Sequence, residues 1–197
     1  MRGEGCPVVA LVCSVGGLDA LTRVLSALPA ALPAAVIVLQ HHDPSRPSML
    51  AAILARHTTL AVTTAADGDP LTPGRVLVAP AGHHVLATTA GTVALIASGD
   101  TPPPRPSADL LLTSLALTAG PRTIAVVLTG YGSDGATGAT AVHHFGGTVI
   151  ATDEATSTQF SMPAATIRRP TITDHVVALD EVADLLTTLT AATHRAG

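Results

Sequence analysis

An α/β fold is predicted for this 197-residue chain: a doubly wound, mostly parallel sheet flanked by helices on both faces, with a small β-hairpin insertion. Three features of the sequence predict it. Apolar runs of strand length stop abruptly at polar residues, and those runs lead through turns into apolar residues at helical spacing. Between Leu60 and Ile96 the alternation gives way to short β-rich pieces. Strands that are apolar throughout need cover on two sides, which helices on both faces of a parallel sheet provide. Such sheets place ligand sites beyond the carboxyl ends of their strands.

Val8 to Cys13 reads as a buried strand, Ser14, Gly16 and Gly17 as a turn, and Leu18, Leu21, Leu25 and Leu28 as one stripe of a helix. A second strand, Ala35 to Gln40, ends at His41 and His42; a helix then begins near Pro47 or Ser48 and extends to about His57. The pieces Arg75–Ala79, Val85–Thr89 and Thr92–Ile96, separated by glycine-containing turns, form the hairpin-bearing insertion. Ser98 to Pro106, with Pro102, Pro103 and Pro104, is a semi-rigid loop because proline disfavours both helix and strand. Helix follows over Ser107–Thr118, strand over Ile124–Leu128, helix over Gly135–Phe145, strand over Thr148–Ala151 and a short helix from Met162 to Ile167. Asp180 is placed to cap a last helix with Val182, Leu185, Leu186 and Leu189 on one face, leaving Thr193–Gly197 as a tail. Phe145 and Phe160 read as local core anchors. One domain over 1–197 is expected, its core about residues 8–192.

Ten Lys and Arg against 14 Asp and Glu give a net charge of −4, and no basic block is interleaved with aromatics, so nucleic acid is not an expected partner. Cys6 and Cys13 form no disulfide framework, which favours a reducing compartment. Asp19 and Arg23 interrupt the first apolar stretch too early for a signal peptide or a membrane span, so a cytoplasmic protein is expected, with no membrane insertion.

Three polar residues sit at predicted strand ends. Ser14, on a strand-turn-helix connection, is placed as a nucleophile near backbone N–H groups, although capping the helix is its plainer use. His41 follows the second strand and is placed to take a serine proton, although an unpaired loop histidine is its plainer use; its neighbour His42 faces a different direction on an extended segment and stays open as the alternative. Asp134, in Thr129-Gly130-Tyr131-Gly132-Ser133-Asp134-Gly135, is placed either to hold an imidazole or to cap the helix it precedes.

These segments, together with Ser14-Val15-Gly16-Gly17-Leu18, Gln40-His41-His42, Asp67-Gly68-Asp69, Pro73-Gly74, Val78-Ala79-Pro80, Arg105-Pro106-Ser107-Ala108-Asp109, Asp153-Glu154-Ala155 and Met162-Pro163, resemble the catalytic domain of the bacterial chemotaxis methylesterases. The resemblance runs from about Val8 to Ala192. It implies a serine hydrolase that demethylates glutamate methyl esters on chemoreceptors and deamidates glutamine, with Ser14, His41 and Asp134 as its catalytic triad and no cofactor or metal. It also implies oxyanion or substrate-shaping roles at Val15, Gly16, Gly17, Tyr131, Arg105 and Met162, with Asp109 as a helix-start residue. The expected partners are a methylated chemoreceptor or similar signalling protein and a separate regulatory receiver protein, since no fused receiver is contained in these residues.

The chain departs from the family pattern in four places: Val12-Cys13 stands where Gly-Ala is usual before the serine, Tyr131 where methionine is usual, Pro104 for histidine and Ser161 for glycine. The Tyr131 phenol bears on substrate fit more than on the chemistry. Two other classes compete with the hydrolase. A non-catalytic signalling module would keep the fold and lack a reactive serine. A nucleotide-binding Rossmann-like protein would use Gly16-Gly17, but the rest of the dinucleotide fingerprint and a phosphate-loop lysine are missing. The pairs His41-His42, His83-His84 and His143-His144 lack the spacing of a compact metal-ligand set.

Overall fold

The computed structural model describes residues 5–43, 46, 48–99 and 106–195. In chain order these form β1 (Val8–Cys13), α1 (Gly17–Ala27), β2 (Ala35–Gln40), α2 (Leu50–Leu54), β3 (Ala61–Thr64), β4 (Arg75–Val78), β5 (His83–Ala87) and β6 (Val93–Ala97). Then follow α3 (Ala108–Ala119), β7 (Thr123–Val127), α4 (Ala136–His144), β8 (Thr148–Thr152), α5 (Ser161–Ile167), β9 (His175–Val177) and α6 (Val182–Arg195). Seven strands make one parallel sheet in the order β3-β4-β2-β1-β7-β8-β9, while β5 and β6 pair antiparallel as a separate hairpin.

The central strand β1 explains the two-sided architecture. Val9, Leu11 and Cys13 face a core built with Leu21 and Leu25 of α1 and Val182 and Leu186 of α6. Val8, Ala10 and Val12 face a second core with Leu111, Leu112 and Leu115 of α3, Val142 of α4 and Val85 and Val93 of the hairpin. Alternate side chains of one strand therefore feed opposite layers. Each fully buried leucine contributes about 1.5–3 kcal/mol of hydrophobic stabilisation.

The structure corrects several local expectations. Arg75–Val78 belongs to the main sheet beside β2 and not to the insertion, which is the β5–β6 hairpin alone. β3 and β9 escape a search for apolar runs: both are edge strands, β3 is largely exposed, and β9 has three residues. The regular part of α2 is five residues long, and Pro47 lies outside the described residues, as do Pro102, Pro103 and Pro104 of the expected loop. On α1 the buried stripe is Ala20, Leu21, Val24 and Leu25, with Leu18 left 40% exposed. The Asp180 carboxylate pairs with Arg23 at 2.6 Å instead of capping α6, while Glu181 accepts the Ala178 N–H at 3.0 Å. Phe145 is exposed and meets the His144 ring edge-on, so it anchors no core; α6 continues through Arg195 where a tail was expected.

Candidate active site

From β1 the chain moves outward on one side through β2; the strand on the other side of β1 is β7, so the order of the sheet reverses between β1 and β7. Such a switch point opens a crevice at the carboxyl ends of the strands. Main-chain hydrogen bonds extend the ladder just beyond the strands: the Ser14 N–H donates to the Thr129 carbonyl at 2.9 Å, and the His41 N–H donates to the Cys13 carbonyl at 3.0 Å. Ser14, His41 and the Thr129-Gly130 corner are thereby held side by side.

The Ser14 turn is tightly enclosed. Gly16, at the start of α1, has φ +79°, a conformation suited to glycine, and α1 has no side-chain cap. Ser14 therefore does not serve as the helix cap, and its hydroxyl has no hydrogen-bond partner among the described residues. Thr129, almost wholly buried, donates its hydroxyl to the Val15 carbonyl at 2.9 Å and accepts the Gln159 N–H at 2.8 Å, fastening the turn to the loop before α5. Across from Ser14, a Cβ on Gly130 would lie 2.7 Å from the Ser14 Cβ and would collide with the Met162 sulfur, so only glycine permits this approach. Met162 is fully buried; its N–H donates to the Gly130 carbonyl at 2.9 Å, and it forms the floor beneath the turn. Gly17 is buried against Cys13, whose thiol is pushed far above its ordinary pKa by burial.

His41 Nε2 donates to Asp134 Oδ2 at 2.7 Å, with both side chains largely withdrawn from solvent. The ring of His42 instead sets Nδ1 3.3 Å from the Asp43 carbonyl. Asp134 caps no part of α4, whose N-cap is Gly135; its carboxylate lies on the start of α3. Oδ2 also accepts the Ala108 N–H at 2.7 Å, and Oδ1 accepts the Asp109 N–H at 3.0 Å and the Ser107 hydroxyl at 3.2 Å. Burial pushes the Asp134 pKa up, but the hydrogen bonds from His41, Asp109 and Ala108 outweigh it and hold the carboxyl below its ordinary value. Asp109 completes the exchange: its Oδ1 accepts the Gly135 N–H at 2.9 Å and the Gly138 N–H at 2.7 Å. Burial, with a contribution from the charge of Asp134, raises the Asp109 pKa against the pull of those N–H groups.

Ser107, Asp109 and Thr129 thus belong to the site although their residue types alone do not point to it; the signals were the Ser107-Ala108-Asp109 run and the glycines at 135 and 138. Val15 and Tyr131 are exposed, 46% and 58%, on the site's outer side. Arg105 lies outside the described residues. The described residues contain no group of three His, Cys, Asp or Glu side chains able to hold a metal ion, and no described helix is long and apolar enough to cross a membrane. A cavity of about 990 Å³ lies at the amino ends of the strands, against Val8, Leu71, Pro121 and Arg122, away from these groups.

Residues 9–186 match the family described as CheB methylesterase. A protein-glutamate methylesterase/protein-glutamine glutaminase of Moorella thermoacetica is 40% identical over 192 residues, covering 95% of this chain and 45% of its own length. One of the same description from Geobacter sulfurreducens is 40% identical over 178 residues, covering 89% of this chain and 48% of its own. The chain therefore spans about half the length of the curated relatives it matches. The crystal structure of the Thermotoga maritima CheB methylesterase catalytic domain superposes with a TM-score of 0.88 at 35% identity, over 94% of this chain and 99% of that one.

Proposed function

This chain belongs to the CheB methylesterase family, and from that premise we propose that it is a serine hydrolase of glutamyl methyl esters on chemoreceptors, with glutamine deamidation as a second use of the same acyl chemistry. The observation that carries the proposal is the His41–Asp134 hydrogen bond of 2.7 Å beside Ser14 at the switch point of the sheet.

With its proton on Nε2, hydrogen-bonded to the Asp134 carboxylate, His41 has Nδ1 free of a proton and able to take one. Ser14 Oγ attacks the ester carbonyl as its proton passes to His41. Asp134, held ionised, favours the imidazolium that forms and keeps the ring oriented. The imidazolium then protonates the departing methoxide. The C–O bond breaks, methanol leaves, and a glutamyl-Ser14 ester remains. Water enters by the same route, giving its proton to His41; the acyl bond breaks and Ser14 recovers its hydroxyl.

The developing oxyanion needs preorganised donors. The Ser14 N–H is already spent on Thr129, whereas the N–H groups of Val15 and Tyr131 meet no acceptor among the described residues and supply the stabilisation. Losing one such donor costs about 2.7–4 kcal/mol of transition-state stabilisation. The exposed phenol of Tyr131 and the Val15 side chain shape substrate entry. The enzyme works in the cytoplasm, in keeping with its two free cysteines.

The test is methanol release from a methylated chemoreceptor fragment, with the protein product weighed by mass spectrometry. Release by the intact chain and none by Ser14→Ala is expected. Equal release by both, or none from the folded intact chain, overturns the proposal.

A further inference from the structure

We infer that His84, on the hairpin, is a positioning residue for the Asp134–His41 pair and acts through the Ser107 backbone.

His84 is 4% exposed, and its Nδ1 accepts the Ser107 N–H at 2.9 Å. A ring nitrogen that accepts carries no proton, so His84 stands as the neutral Nε2–H tautomer. Ser107 is the N-cap of α3: its hydroxyl oxygen accepts the Leu110 N–H at 3.3 Å, which directs the hydroxyl proton toward Asp134 Oδ1 at 3.2 Å. Ser107, Ala108 and Asp109 supply three donors to Asp134, and His41 supplies the fourth. A carboxylate offers about four lone-pair sites, so Asp134 is saturated and its position follows that of the segment 107–109.

That segment is gripped from the hairpin by His84. A second tie between hairpin and α3, the Ala87 N–H donating to Ser114 Oγ at 2.9 Å, lies two turns further along the helix and does not reach Ser107. Removing the Nδ1 acceptor would leave the buried Ser107 N–H unpaired, so the start of α3 would move to find a partner, carrying three of the four donors of Asp134 with it.

The test compares His84→Asn with His84→Gln, using His83→Leu on the exposed neighbouring position as a hairpin control. An Asn oxygen falls near the Nδ1 site, whereas Gln reaches the Nε2 end, so the two variants separate the acceptor from simple space-filling. The Gln variant should lose kcat by about 10-fold to 100-fold, the scale of a small misplacement of a reacting group, with KM little changed. The Asn variant should stay near the unmodified protein, as should His83→Leu.

The kinetic readout rests on the hydrolase reading proposed above; a second readout does not. The downfield proton resonance of the His41 Nε2–H···Asp134 bond should persist in the Asn variant and shift in the Gln variant, whether or not the substrate is the right one. Slow exchange of the Ser107 amide proton in the unmodified protein is also expected, and this needs no variant to fold. Wild-type resonance and rate in the Gln variant, equal impairment of both variants, or rapid exchange at Ser107 would each overturn the inference.

Discussion

Asp109 and Asp134 cap each other's helices: the carboxylate of Asp109, in the first turn of α3, accepts N–H groups at the start of α4, while Asp134, just before α4, accepts those at the start of α3. Two carboxylates so placed satisfy orphan helix donors and lie at the favourable ends of two helix dipoles. The proximity of like charges is the cost, visible in the raised pKa of Asp109.

Replacing Asp109 by alanine is expected to leave the Gly135 and Gly138 N–H groups without acceptors and to lower stability by about 1–3 kcal/mol. Urea unfolding measures this. Ester hydrolysis should fall as well, because the Asp134 loop loses its tie to α3; an unchanged unfolding midpoint would show the exchange to be inert.

Asp134→Asn places an amide NH2 among four donors. The loss of the acceptor for His41 is expected to reduce kcat by about 10⁴-fold, the scale known for the orienting aspartate of a serine triad. Methanol release by the folded variant checks it, and retention of a tenth of the rate would remove Asp134 from the mechanism.

The two carboxylates have opposite signs in the acid stability profile. Asp134 has a lowered native pKa, so its stabilisation is present above the unfolded value of about 3.9 and is lost as pH falls through the native value. Asp109 has a raised native pKa, so its ionised form costs stability at neutral pH, and that cost is relieved as pH falls through the native value. Urea midpoints measured from about pH 7 downward should therefore fall less steeply in acid for Asp134→Asn than for the unmodified protein. A parallel fall would contradict the assignment.

Gly130→Ala introduces a Cβ 2.7 Å from the Ser14 Cβ. Overpacking of this kind costs about 1–3 kcal/mol. Displacement of Ser14 should also suppress labelling by a serine-directed phosphonate, measured by intact mass. A variant labelled at the unmodified rate would mean that the turn yields without moving the hydroxyl.

Cys13 is buried with its thiol pKa driven upward, whereas Cys6 is half-buried. Native protein is expected to react with a thiol-specific disulfide reagent at Cys6 alone, and at both positions once unfolded. Rapid native labelling of Cys13 would show that the core beneath the Ser14 turn opens.

The sequence was most legible where burial alone decides the pattern. β1, β2 and β7 are buried along almost their whole length, and an apolar run reports that directly. β3 exposes most of its residues and owes its existence to pairing with β4, which no local window contains. The same division holds at the site. Ser14, His41 and Asp134 could be placed at strand ends, and the structure joins His41 to Asp134. What could not be read was which helix Asp134 would cap, because that depends on α3 packing across the start of α4. The closeness of that packing appears at Gly138, where a Cβ would lie 2.5 Å from the Leu112 Cβ. His84 was legible only as half of a histidine pair, since the Ser107 N–H it accepts lies 23 residues away.

The two main-chain hydrogen bonds that carry Ser14 onto Thr129 and His41 onto Cys13 make the sheet a ruler for the candidate site. Neighbouring strands sit about 4.7–4.9 Å apart in any sheet, so the backbone interval between residues 14 and 41 is inherited from sheet geometry. Drift in the surrounding loops, at the exposed Tyr131 for example, can then reshape the rim of the crevice while leaving the spacing of those two backbone positions untouched.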